Sequence, residues 1–356
     1  MPATKTTIPL VSNGDFREAA CEVCWPMQSQ TLDAVKAALK KLGAEGKEVV
    51  KYNTKRKHGF ITKQAEGAAA FAGIDPDSPV IVVLSCWAYA HHVCGPLQTH
   101  RGPILLLANF DGTWPGLVAL LNHAGTLARL NVPHARLWSD SFSEDEYFMA
   151  KLKQWLDKGT CTHSTKHLTD AAKLKLPKKA ETLGEKLAAD IRRERRIMGQ
   201  LDPGCMGMLN AVLDPAKTGA AGVPIEYLNQ SDLLAEMALV SDDEAQGHLN
   251  WLVERGTTFH WGTDGRTELV HGQVLEQMKM YSAAGRLVER YGLAAIGIPY
   301  QLGLVRQCAA SDLVEGMLNN TERPDIISPE TGAPIKPGKP IVHFNEGDLG
   351  AGIPQL

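Results

Sequence analysis

Two acidic stretches near the end of the sequence carry the residue types needed for divalent-metal and proton-transfer chemistry. In Ser311-Asp-Leu-Val-Glu-Gly-Met-Leu, a Ser or Asp cap opens a helix that holds Glu315 about one turn in, beside the loop after the preceding strand. In His343-Phe-Asn-Glu-Gly-Asp, Glu346 and Asp348 follow the apolar pair Ile341-Val342 and precede the glycine-rich Leu349-Gly-Ala-Gly-Ile. A strand ending in carboxylates places them at the carboxyl edge of a parallel sheet, where ligands collect. Mg²⁺ and Mn²⁺ are hard ions that prefer oxygen, and two carboxylates from separate segments hold one while leaving positions for substrate hydroxyls. Acidic groups of this size are also common on solvated loops, and spacing alone leaves both readings open.

Other residues suit recognition. Trp87, in Cys86-Trp-Ala-Tyr, stands where an apolar run ends, a position that serves stacking on a sugar ring or packing in the core. Gln301 sits in the Pro299-Tyr-Gln turn after a strand and is a candidate substrate contact. Gly204-Cys-Met-Gly-Met supplies small residues and an adaptable thioether beside a helix start, either for close approach of a ligand or for tight helix packing. Cys205 is a nucleophile only beside a basic partner. His91, His92 and His343 are candidate ligands, with hydrogen-bonded loop histidines as the alternative. Cys21-Glu-Val-Cys24 has no second CxxC or CxxH to complete a zinc site and reads as thiols packed on a helix. No dinucleotide fingerprint follows a strand, and there is no P-loop or Gly-x-Ser-x-Gly, so nicotinamide, nucleotide and serine-hydrolase chemistry lack support.

The elements that must position these residues alternate between strand and helix. Pro79-Val-Ile-Val-Val-Leu-Ser-Cys and Pro103-Ile-Leu-Leu-Leu-Ala are β-branched or apolar runs bounded by turn residues, the pattern of buried parallel strands. Helical spacing covers 31–42, closed by Gly43, and 115–131, followed by Pro133. Residues 159–179 are polar and rich in Thr and Lys and read as a domain crossing, followed by a charged helix over 183–198. Further helices are expected over 231–237, over 241–255 with a Ser-x-x-Glu capping box, over 273–291 and over 311–319, with a strand at 293–298. This alternation predicts an α/β class, and 356 residues at about 150 per domain predict two cores.

Composition narrows the partners. A chain with 44% hydrophobic and 22% charged residues is globular, and a net charge of −3 with interspersed signs gives no field for nucleic acid or an anionic membrane. There is no signal-peptide pattern and no run of about 18 apolar residues, and seven cysteines in a chain of this size read as reduced thiols, which makes the cytoplasm the expected compartment.

Taken in order along nearly the whole chain, these segments resemble the L-fucose isomerase family. Ser85-Cys-Trp-Ala-Tyr is similar to its Cys-Trp-x-Tyr strand end, and Asn109-Phe-Asp-Gly-Thr-Trp-Pro-Gly to the loop and helix start that follow. Gly204-Cys-Met-Gly-Met-Leu-Asn-Ala-Val-Leu-Asp resembles the Ser-Met-Gly helix that opens the second domain. Ser311-Asp-Leu-Val-Glu resembles the segment of the first metal-binding glutamate, and Asn345-Glu-Gly-Asp that of the metal-binding aspartate. The resemblance implies two doubly wound, Rossmann-like α/β domains at 1–165 and 166–340, and the beginning of a β-rich third domain at 341–356, with the family's third metal ligand, a histidine, beyond Leu356. It implies Mn²⁺, a homo-oligomer such as a trimer or hexamer, Glu315 and Asp348 as metal ligands and catalytic acids or bases with Glu346 as a further ligand or base, and Trp87 reaching the sugar of a neighbouring subunit. Asn13-Gly-Asp-Phe-Arg is similar to the family's N-terminal Asp-Gly-Arg region, which makes Arg17 a substrate contact.

The implied reaction interconverts an open-chain aldose and its ketose through a cis-enediol, moving one proton between C2 and C1. Two other expectations compete with it: a sugar- or metal-binding remnant without turnover, and a different metal-dependent reaction on a polyol, such as aldol cleavage.

Overall fold

The computed structural model describes residues 6–204, 206–299 and 303–356. The chain divides into two compact units, Met1–Lys173 with Gly207–Asn210, and Leu174–Met206 with Ala211–Leu356. Both are doubly wound parallel α/β layers.

The first unit holds β1 (Thr7–Ser12), α1 (Glu18–Lys41), β2 (Glu45–Glu48), α2 (Gln64–Ala72), β3 (Val80–Leu84), α3 (His91–Thr99), β4 (Ile104–Asn109), α4 (Gly116–Arg129), β5 (Ala135–Ser139) and α5 (Glu146–Lys158). The strands are all parallel in the order β2-β1-β3-β4-β5. Every residue of β3 and β4 is buried, as the unbroken apolar runs predict for strands covered on both faces. Alternate side chains go to opposite faces. Ile81, Val83, Leu105 and Leu107 pack with Leu32, Val35 and Leu39 of α1 and Phe148 and Leu152 of α5. Val80, Val82, Leu106 and Ala108 pack with Val93 of α3 and Leu120 and Leu127 of α4. Each of these Val, Leu, Ile and Phe side chains contributes about 1.5–3 kcal/mol by leaving water.

In the second unit α6 (Lys178–Glu194), β6 (Met198–Leu201), α7 (Pro215–Ala220), β7 (Ile225–Leu228), α8 (Gln230–Met237), α9 (Asp242–Glu254), α10 (His271–Arg290), β8 (Ala295–Gly297), α11 (Asp312–Leu318), β9 (Val342–Phe344) and α12 (Leu349–Gly352) follow one another. Its parallel sheet runs β7-β6-β8-β9. The buried helix α10 anchors one face, with Met278, Tyr281 and Leu287 against Leu201 and Ile296; Phe344, Leu349 and Ala295 close the other around Met198.

Four sequence expectations change. The helix expected from Thr31 begins at Glu18 and carries Pro26 inside it, because the burial of Cys21 and Gln28 extends its apolar face past the proline. The charged helix expected to reach Met198 ends at Glu194, with Arg195 in the left-handed region, and Met198 starts β6. No helix opens at Gly204: positive φ at Asp202, Gly204, Met206 and Gly207 makes this a run of turns before a 3₁₀ turn at Leu209–Ala211. Residues 341–356, expected to begin a third domain, are built into the second, where β9 pairs with β8 (Ala295↔Val342, Gly297↔Phe344) and Phe344 and Leu349 fill the core around Met198.

Candidate functional site

In a doubly wound sheet, ligands bind beyond the carboxyl ends of the strands, where helices diverge to the two faces. In the second unit the loops at that edge carry the predicted acids. Glu315 lies on the first turn of α11, its amide bonded to the Ser311 carbonyl at 2.9 Å, and its side chain is about three-quarters buried (24% exposed). Burial pushes its carboxyl above the ordinary value, and the charges of Asp312 and Glu346 push it the same way. Glu315 and Glu346 therefore feel one another as like charges, an arrangement that a cation relieves.

Glu346 is held by its backbone. It sits at φ +53° in the 3₁₀ turn Asn345–Gly347, followed by Gly347 at φ +72°. A non-glycine residue in this region is strained and persists only where its surroundings enforce it. Here the enforcing contacts are visible: Gln200, a buried amide on β6, donates from Nε2 to the Gly347 carbonyl at 3.1 Å, and Gly347 packs so near Pro299 that an added Cβ would meet it at 3.1 Å. Asp348 follows on the same turn, half-buried, its carbonyl accepting from the amides of Ala351 and Gly352 at the start of α12. The acids that raise Glu315 are Asp312 and Glu346, and Asp348 is not among them.

His343 lies behind the acids with no solvent exposure, its Nδ1 3.9 Å from Glu315 Oε2, and neither ring nitrogen has a hydrogen-bond partner among the described residues. Burial pushes its pKa down to about 4, so the ring is neutral near pH 7. Asn319 exchanges two 2.8 Å bonds with the His343 backbone, closing the open side of β9. Gln230 ties the loop after β8 on both sides of residues 300–302, donating to the Pro299 carbonyl at 2.6 Å and accepting from the Leu304 amide at 3.1 Å. Gln301 and Cys205 lie outside the described residues.

The first unit places Arg17 and Trp87 at its own switch point, on the exits of β1 and β3. Asp15 is buried and takes four bonds from Arg17: the backbone amide at 2.9 Å, Nε at 3.1 Å to each oxygen, and Nη2 at 2.5 Å. The Arg17 side chain remains 41% exposed. Trp87 is half-buried, with an indole N–H that no described residue accepts, so it is neither a plain core aromatic nor a bare platform. Asn13 fixes the crossing of the two loops: its Nδ2 donates to the Tyr89 carbonyl at 2.9 Å and to His123 Nε2 at 2.8 Å. His123 Nδ1 faces the Ala119 carbonyl at 2.7 Å, which assigns the proton to Nδ1, and burial pushes this histidine down to about 4. His91 and His92 are on α3, and burial pushes both down, His92 to about 3.

Two carboxylates whose charges act on one another fit the donor chemistry of a hard divalent cation, with other positions left to water and substrate oxygens. Among the described residues, no group of three His, Cys, Asp or Glu side chains is arranged to hold a metal. Sequence reasoning overlooked Gln200, Gln230 and Asn319, whose only local signal is a polar residue beside an apolar run. Among the described residues no helix is long and apolar enough to cross a membrane. No family model matches the chain, and no curated protein matches it.

Proposed function

We propose that the chain is an aldose–ketose isomerase of the L-fucose isomerase type, dependent on Mn²⁺ or a similar ion. The observation that carries the reading is the placement of Glu315, on the first turn of α11, and Glu346, on the turn after β9, at the carboxyl edge of one parallel sheet, with the Glu315 carboxyl raised by burial and by the charges of Asp312 and Glu346. Glu315 and Glu346 would hold the ion, and Asp348 lies two residues beyond Glu346 without completing a three-ligand group. The chemistry a bound divalent ion supplies here is stabilisation of the oxyanion that develops on the sugar.

Glu315 takes the proton from C2 of the open-chain aldose as its electrons form the enediol double bond, and returns it to C1 as the C2 hydroxyl becomes the ketose carbonyl. The proton on the C2 oxygen passes to the C1 oxygen, and atoms and electrons balance. Burial of Glu315 raises its basicity, and the Gln200 bond to Gly347 holds Glu346 in place at the moment of transfer. Arg17 and Trp87 supply a guanidinium and an indole N–H suited to sugar hydroxyls, serving a neighbouring subunit of a homo-oligomer. Six described cysteines are all free thiols, which suits a reducing compartment such as the cytoplasm.

The test incubates a panel of aldoses with the protein and Mn²⁺ in deuterated water, with NMR detection of ketose and of deuterium at C1 or C2. Glu315→Gln should lower turnover by about 10²-fold or more. Isomerisation by that variant at the wild-type rate would overturn the assignment. Saturable sugar or Mn²⁺ binding without product would instead identify a binding protein, and C–C cleavage products an aldolase.

A further inference from the structure

A separate feature of the first unit lies at the carboxyl end of β5, the edge strand of its sheet, two strands from the exit that carries Trp87. A hollow of about 230 Å³ opens there, with Phe110, Trp138, Tyr147, His163, Asp140 and Asp145 among the residues that line it. Three of the rings stay in contact with water: Trp138 is 41% exposed, Phe110 52% and Tyr147 54%. Large aromatic side chains gain most by burial, so three left exposed around one concavity mark a surface that a ligand covers.

The walls are held by bonds of their own. The Phe110 amide donates to the Ser139 carbonyl at 2.9 Å, which ties the exit of β4 to that of β5. His163 Nε2 donates to the Arg136 carbonyl at 3.0 Å and Nδ1 accepts from the Tyr147 hydroxyl at 2.8 Å, which puts the ring proton on Nε2. The same ring stacks on Trp138, with centroids 6.0 Å apart and planes 23° from parallel. Asp145 accepts from Ser139 Oγ at 2.8 Å and from the Phe148 amide at 3.0 Å, and Asp140 accepts from Ser141 Oγ at 2.8 Å. The nearby Glu144 is paired with Lys41 at 3.0 Å, whereas among the described residues Asp140 and Asp145 pair with no cation. No described lysine or arginine lines the hollow; Lys151, whose Nζ stands 5.3 Å from the Tyr147 ring centroid, lies outside the lining.

We propose that this hollow binds an organic cation, a compound carrying a quaternary or methylated ammonium head group. Aromatic faces are negative and attract a cation, indole most strongly, while the methyl groups bury apolar surface against the same rings. Asp140 and Asp145 add charge complementarity without a salt bridge to break first. An anion is repelled, and a neutral ligand gains none of the charge attraction. This inference does not depend on the isomerase reading.

The experiment titrates the full-length protein by calorimetry with choline and with 3,3-dimethyl-1-butanol, in which carbon replaces the ammonium nitrogen, at equal ionic strength. Choline should bind saturably at one site, and its neutral isostere at least about tenfold more weakly. Trp138→Ala should lower choline affinity by about tenfold and Asp140→Asn by several-fold, both with an unchanged circular dichroism spectrum. Choline binding with no co-flotation on phosphatidylcholine vesicles identifies a soluble ligand, and co-flotation identifies the same head group on a lipid. Equal affinity for the isostere, no saturable choline binding up to about 10 mM, or full affinity in a folded Trp138→Ala overturns the proposal. The comparison of choline with its isostere on the wild-type protein decides the matter even where a variant fails to fold.

Discussion

Glu315 Oε2 lies 3.9 Å from Nδ1 of His343, a ring sealed from solvent whose two nitrogens find no hydrogen-bond partner among the described residues. A neutral imidazole beside a carboxylate supplies no counter-charge, so Glu315 keeps the raised pKa that burial and the neighbouring acids impose. Replacing the ring with an apolar one of similar shape removes two buried polar atoms that bond to nothing. His343→Phe should therefore leave the unfolding free energy at pH 7 within about 1 kcal/mol of wild type or raise it. A loss above about 2 kcal/mol in urea denaturation would mean that the imidazole holds a partner.

The strain at Glu346 separates stability from activity. Glycine adopts φ +53° without the Cβ penalty, so Glu346→Gly should hold or raise the melting temperature, by up to about 1 kcal/mol of stability. The same change removes one of the two paired carboxylates and should lower isomerisation of the accepted sugar by about 10²-fold. A variant that loses both stability and activity would place the strain elsewhere.

Stability at low pH should report on Glu244. His248 first, and Arg286 through two bonds at 2.7 and 3.0 Å, hold this carboxyl down to about 2. A carboxyl depressed in the folded state stabilises it fully above the unfolded value of 4.5, and the contribution is lost as pH falls through 2. Between pH 5 and pH 3 this group alone should cost about 2 kcal/mol. Glu244→Gln should flatten the pH dependence of urea unfolding in that window, and an unchanged slope would refute the linkage.

Gly297 on β8 has no room for a side chain, because a Cβ there would enter the Phe344 ring on β9. Gly297→Ala should cost about 2–3 kcal/mol through overpacking, and adding Phe344→Leu should return part of it. Strict additivity of the two in a double-mutant cycle would show that they do not meet.

Much of the fold is written locally. The runs at Val80–Leu84 and Ile104–Asn109 announce strands because both faces of each are buried, which leaves no polar position to interrupt the pattern. The Ser241 cap of α9 is equally plain, its Oγ accepting from the Glu244 amide at 3.1 Å, three residues on. The acids at 346 and 348 are legible as candidates because they follow the apolar pair Ile341-Val342, although solvated loops carry such acids too.

What the sequence by itself determined is therefore the α/β class, the longer amphipathic helices, the strands with unbroken apolar runs, and which residue types could do chemistry, since each depends on neighbours within a few turns of chain. Tertiary structure alone decided that β9 joins β8 and that Gln200 bonds the Gly347 carbonyl, 147 residues away, beside the left-handed Glu346. Those relationships are settled by the packing of segments distant in sequence, where the free energy comes from burying surfaces and pairing polar groups that no local periodicity encodes.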